Sequence, residues 1–128
     1  MKVKLKKSAG EYFEEGIELF NQGRFFDCHE AWEEVWKQAR GQEKLFYQGL
    51  IQAAVAILHA QRGNREGARS LYAKARAKLD SVAPEHMGLA IGKLRDDLAK
   101  FFESALSEQR RALSRPPRLH RAPAQPRH

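Results

Sequence analysis

Apolar side chains recur at three- and four-residue steps along most of this chain, the spacing of helices that bury one face. Ser8-x-x-Glu11 has the form of a capping box, and Tyr12, Phe13, Ile17, Leu19 and Phe20 follow it before Gly23 supplies a stop. A second helix is predicted over about Phe25 to Ala39, with Phe25, Cys28, Trp32, Val35 and Trp36 on its apolar stripe and Gly41 as the next stop. A third, about Glu43 to Arg62, is apolar on several sides: Leu50, Ile51, Val55, Ile57 and Leu58 are interleaved with Ala53, Ala54 and Ala56. Such a helix belongs at the centre of a bundle, where Gly49 and the alanines allow close approach.

Gly63-Asn64 ends this central helix and caps a fourth, about Arg65 to Leu79, with Ala68, Leu71, Tyr72, Ala75 and Leu79 on one face. After a break at Ser81 to Pro84, a fifth helix is predicted over about Glu85 to Leu106, carrying Ile91, Leu94, Leu98, Phe101, Phe102 and Leu106. No run of two-residue alternation stands out. The expected fold is therefore all-α, a compact bundle of about five helices built from antiparallel helical hairpins. A helix–Gly23–helix unit echoed forty residues later by helix–Gly63–helix is a faint internal repeat.

Composition changes this picture mainly at the ends. The chain has 128 residues, enough for one domain, and a formal charge of +7. Lys2, Lys4, Lys6 and Lys7 contribute +4 and residues 108–128 contribute +5, which leaves −2 for residues 8–107. The expected division is a basic segment 1–7, a helical domain 8–107 and an Arg/Pro-rich tail 108–128. Pro116, Pro117, Pro123 and Pro126, with few apolar neighbours, predict that this tail is disordered. Because the folded part is slightly acidic, nucleic-acid binding through the basic ends ranks last among the functions considered. The amino terminus lacks the apolar run of a signal peptide. The longest uncharged stretch, Leu45 to Gln61, holds 17 residues and four polar ones, so it reads as a core helix and not a membrane span. Cys28 is the only cysteine, which suits a reducing, cytoplasmic compartment.

Candidate chemistry gathers on two helices. His29 points nearly the same way as Trp32 and Trp36, Glu33 lies one turn beyond it on the stripe's flank, and Glu30 and Glu34 face away. Gln48, Gln52 and His59 form a polar stripe on the otherwise apolar third helix. If the two helices meet along these sides, His29, Glu33, Gln48, Gln52 and His59 form one polar site flanked by Trp32 and Trp36. Three roles suit such a set. His29, Glu33 and His59 are candidate ligands for a divalent metal. Glu33 could tune a histidine for acid–base chemistry. A hydrogen-bond network fixing helix register is the structural role, and it leads because histidine beside tryptophan on an apolar face is usually a satisfied core residue. His29-Glu30-x-x-Glu33 is not a zincin motif, since glutamate stands where the second histidine is needed.

Two blocks carry a family resemblance. One is Phe20-Asn21-x-Gly23-x-Phe25-Phe26-x-x-His29-Glu30-x-Trp32-Glu33-x-x-Trp36, which contains the HExWE pattern. The other is Phe46-x-Gln48-Gly49-Leu50-Ile51-Gln52-x-Ala54-x-Ala56-x-x-His59, continued by Gly63-Asn64-x-x-Gly67-Ala68. Over about residues 12–80 the chain resembles the bacterial and plastid family known as domain of unknown function 309. The resemblance implies an all-helical, cytoplasmic protein and supplies no reaction. Its signature residues include His29, Glu33, Gln52 and His59. The leading functional expectation is a non-enzymatic helical domain that binds a partner protein or an identical subunit. A hydrolase-like enzyme using the His/Glu cluster is the alternative.

Overall fold

The structure is a computed structural model that describes residues 7–108 and 112–123. Lys2, Lys4, Lys6, Arg110, Arg111 and the chain from residue 124 lie outside the described residues. Among the described residues, five helices form in chain order: α1 (Ala9–Asn21), α2 (Phe25–Gln38), α3 (Gly41–Gln61), α4 (Arg65–Asp80) and α5 (Ile91–Ala105). The all-α expectation holds, with one small addition. Between α4 and α5 the strands β1 (Glu85–His86) and β2 (Leu89–Ala90) pair antiparallel.

Local chemistry sets the helix ends. Ser8 Oγ accepts from the Glu11 amide at 3.1 Å, and the Glu11 carboxylate accepts from the Ser8 amide at 3.2 Å. That is the capping box read from sequence. Asn64 caps α4 by accepting from the Gly67 amide at 3.0 Å. The internal repeat survives as a shared turn. Gly23 and Gly63 both have φ of 78°. Both are followed by an amide that returns to the last turn: Arg24 N–H to the Leu19 carbonyl at 2.9 Å, and Asn64 N–H to that of His59 at 2.8 Å. Glycine is the residue that adopts this left-handed conformation without steric penalty.

Each helix packs chiefly on its neighbours in sequence, α1 on α2, α2 on α3 and α3 on α4. Two glycines set how closely the helices meet. A Cβ on Gly16 would lie 2.1 Å from Trp32 Nε1, so α1 can lie against the indole only because that side chain is absent. A Cβ on Gly49 would meet Lys78 Cβ at 3.1 Å, which marks the α3–α4 contact. Phe46, Leu50, Ala53, Ala54, Ala56 and Ile57 of α3 are buried, consistent with its place between α2 and α4.

Two expectations are corrected here. The helix predicted from Glu85 begins only at Ile91, because Met87 and Gly88, with φ of 51° and 75°, turn the chain through a two-residue hairpin. Positive φ at both central positions is the geometry of such hairpins, and strands of two residues are too short to show alternation. The tail differs too. Residues 112–123, expected to be without fixed structure, run back to the bundle, where Pro117 and Leu119 are buried. Leu119 is 5% exposed and belongs to the hydrophobic core. Composition averages over the segment and so misses one leucine placed to fill a gap.

Candidate functional site

His29 and Glu33 are one helical turn apart on α2, and His29 Nε2 donates to Glu33 Oε1 at 2.8 Å. The pair sits at the surface, with side chains 25% and 42% exposed. Phe26, three residues before His29 and so on the same face, brings its ring to 5.9 Å from the imidazole and is 52% exposed. At the other end of α2, Lys44 of α3 lies over the Trp36 ring at 4.3 Å, a cation–π contact between the two helices. His29 Nδ1 and Trp36 Nε1 are enclosed and have no hydrogen-bond partner among the described residues.

The remaining expected residues go elsewhere. Gln52 Oε1 accepts from Lys78 Nζ at 2.9 Å, so it faces α4. His59 Nδ1 lies 3.2 Å from Asn64 Nδ2, at the α3–α4 turn. Gln48 is half-buried on α3. The reason is axial register. Only Ala39 and Arg40 join α2 to α3, so the helices run antiparallel and His29 stands level with about residue 50. His59 is then roughly 13 Å further along α3 at about 1.5 Å of rise per residue. Among the described residues, no three His, Cys, Asp or Glu side chains gather to hold a metal ion. His29, Glu33 and His59 are therefore not one ligand set.

Nor do these residues form a closed core network, because no polar or charged residue is fully buried among those described. Trp32, expected beside a pocket, is entirely enclosed between α1 and α2, where its Nε1 donates to the Phe13 carbonyl at 3.1 Å. Cys28 is buried as well, and burial pushes its thiol pKa far up, so it offers no thiolate at neutral pH. Glu30 and Glu34 line a different depression, of about 690 Å³ between α1 and α2, together with Tyr12, Leu19 and Lys37.

Sequence reasoning missed Phe26 and Lys44 as members of the α2 face. Phe26 was detectable, since it stands at i, i+3 to His29. Lys44 was not, because its position over Trp36 depends on the tertiary contact.

A half-exposed aromatic beside a fixed imidazole–carboxylate pair, on a helix of an all-α bundle, defines a class: a small helical domain with a mixed apolar and polar face. Residues 13–71 match the family described as Domain of unknown function (DUF309). The chain is 34% identical over 95 residues to "Uncharacterized protein YpuF" of Bacillus subtilis (strain 168), covering 72% of this chain and 55% of that protein. It is 30% identical over 86 residues to an "Uncharacterized protein" of Aquifex aeolicus (strain VF5), covering 66% and 26%. The chain thus spans about half of the first relative and about a quarter of the second. No helix among the described residues is long and apolar enough to cross a membrane.

Proposed function

We propose that this chain is a non-enzymatic, cytoplasmic helical domain that binds a partner protein on the face formed by Phe26, His29, Glu33 and Trp36 of α2, with Lys44 of α3. One observation carries the reading. His29 has one ring nitrogen bonded to Glu33 and the other enclosed, while Phe26 beside it stands half exposed. A general base needs a ring nitrogen within reach of a substrate proton, and His29 presents neither. An aromatic ring held next to a hydrogen-bonded imidazole–carboxylate pair is instead the mixture of apolar anchor and polar rim that protein partners recognise. The buried Cys28 thiol points the same way, since it is unsuited to nucleophilic chemistry and suits a reducing compartment.

The test compares the full chain with its Phe26→Ala variant as paired baits, followed by titration of any retained protein. Phe26 is half exposed, so the variant keeps its fold. A partner held by the parent and weakened at least tenfold by the substitution supports the proposal. A partner held equally by both baits, or by neither, refutes it.

A further inference from the structure

The segment that was expected to be a free tail occupies a built groove between α1 and the β1–β2 hairpin. Its bonds are those of an added strand. Ala90 N–H donates to the His120 carbonyl at 2.8 Å, and Ala122 N–H donates to the Gly88 carbonyl at 2.9 Å, which places Arg121 opposite Leu89. On the other side stands α1, which has no strand edge to offer, and there Asn21 takes the place of one. Its Nδ2 donates to the Leu119 carbonyl at 3.1 Å, and its Oδ1 accepts from the Leu119 amide at 2.7 Å. The side-chain amide thereby copies the two bonds that a paired strand exchanges. The Leu119 side chain enters the core, Pro117 is buried two residues before it, and Arg121 pairs with Glu14.

This groove therefore reads an extended backbone with leucine at one position and a cation two residues later. Its charge agrees: α1 carries Glu11, Glu14, Glu15 and Glu18, whereas residues 115–121 hold three arginines and no acid. All these contacts are made to α1 and the hairpin. Residues 112–115, which precede the docked stretch, are exposed, including Leu113 at 41%. Among the described residues, the last anchored point before them is where Arg65 donates to the Leu106 and Ser107 carbonyls. Residues 108–116 can span up to roughly 30 Å when extended, far enough for the groove of a neighbouring molecule.

We propose that the groove also accepts the Pro117–Ala122 segment in trans, from a second copy of this chain, so that two chains exchange tails reciprocally. Every bond made within one chain is then made again between two, and only concentration and the linker decide the balance. This proposal is independent of the α2 face, which lies on other residues.

The experiment uses two full-length charge reversals, Glu14→Arg and Arg121→Glu, at side chains more than half exposed. In either variant alone, like charges face each other across the groove. Mixed at equal concentration, reciprocal exchange restores an opposite-charge contact in both grooves. Native mass spectrometry of mass-labelled chains is expected to show mixed dimers outnumbering homodimers about fivefold or more, where random pairing gives roughly equal numbers of each. Adding Asn21→Ala to both chains is expected to abolish that excess while circular dichroism still reports folded helices. A mixture that stays monomeric at several hundred micromolar, or mixed dimers in statistical proportion only, overturns the proposal. An excess that persists without Asn21 overturns it as well, since the contact then lies outside the groove. Dimerisation through the α2 face gives statistical proportions, so the two readings fail separately.

Discussion

Cys28 and His29 are adjacent in sequence, yet α2 turns them about 100° apart and gives them opposite environments. Cys28 faces Phe20 in the core, and burial raises its thiol pKa above the ordinary value of 9.0. The unfolded chain therefore loses the thiol proton first as pH rises, and stability falls above about pH 9. Between pH 8 and pH 10 the parent is expected to lose roughly 1–1.5 kcal/mol more than Cys28→Ala, as read from denaturant unfolding of both. Burial also raises Tyr47 and Tyr72, but both proteins carry them, so the difference isolates the thiol. His29, one residue on, looks outward. Its bond to Glu33 was legible in the sequence because i, i+4 partners on a helix are fixed by the helix itself. Gln52 and His59 were placed on the correct helix, but their partners Lys78 and Asn64 are set by how α3 meets α4.

At the scale of elements, the helical hairpins depend on side chains that are missing. Replacing Gly16 by alanine puts a methyl 2.1 Å from Trp32 Nε1 and 2.3 Å from Cδ1. The indole has to move, and its bond to the Phe13 carbonyl breaks with it. Gly16→Ala is expected to cost roughly 3 kcal/mol, the sum of overpacking and a lost buried hydrogen bond. At Gly49 the nearest atoms are 3.1–3.4 Å away on Lys78 and Leu79. Gly49→Ala is expected to cost about 1 kcal/mol or less, because a shift of a few tenths of an ångström accommodates the methyl and alanine favours the helix. Chemical denaturation of the two variants side by side checks the ranking. Equal losses would mean that the α1–α2 contact is more yielding than its geometry requires.

For the whole molecule, the uneven charge along the chain has an intramolecular use. Lys7 pairs with Glu15 at 2.7 Å and Arg121 with Glu14, so basic residues from both ends lie on the acidic face of α1. The same carboxylates hold the Lys7 and Arg121 pKa values up, chiefly through the hydrogen bond in each pair. These pairs occupy charges that a polyanion would otherwise attract. They are exposed and contribute little to stability by themselves. The tail is held mainly by Leu119 and by Asn21. Asn21→Ala removes both bonds to the Leu119 backbone and is expected to weaken docking by about 2 kcal/mol. Trypsin cleavage after Arg118 and Arg121 is then expected to speed up roughly tenfold or more, while the helical unfolding transition moves only a few degrees. Unchanged cleavage would show that Asn21 does not restrain the tail.

The sequence by itself determined what depends on neighbours within a turn or two: five helices, the Ser8 and Asn64 caps, the glycine turns and the His29–Glu33 pair. Helical periodicity states which way a side chain points around its own axis, and it says nothing about height against another helix. Tertiary structure alone decided that height, and so parted His59 from His29. It also decided which side of α3 meets α4, a choice left open by a helix apolar all round. The docking of the Pro117–Ala122 segment lay beyond reach for the same reason. Asn21 and Leu119 are 98 residues apart, and only the folded bundle creates the groove in which their bonds form.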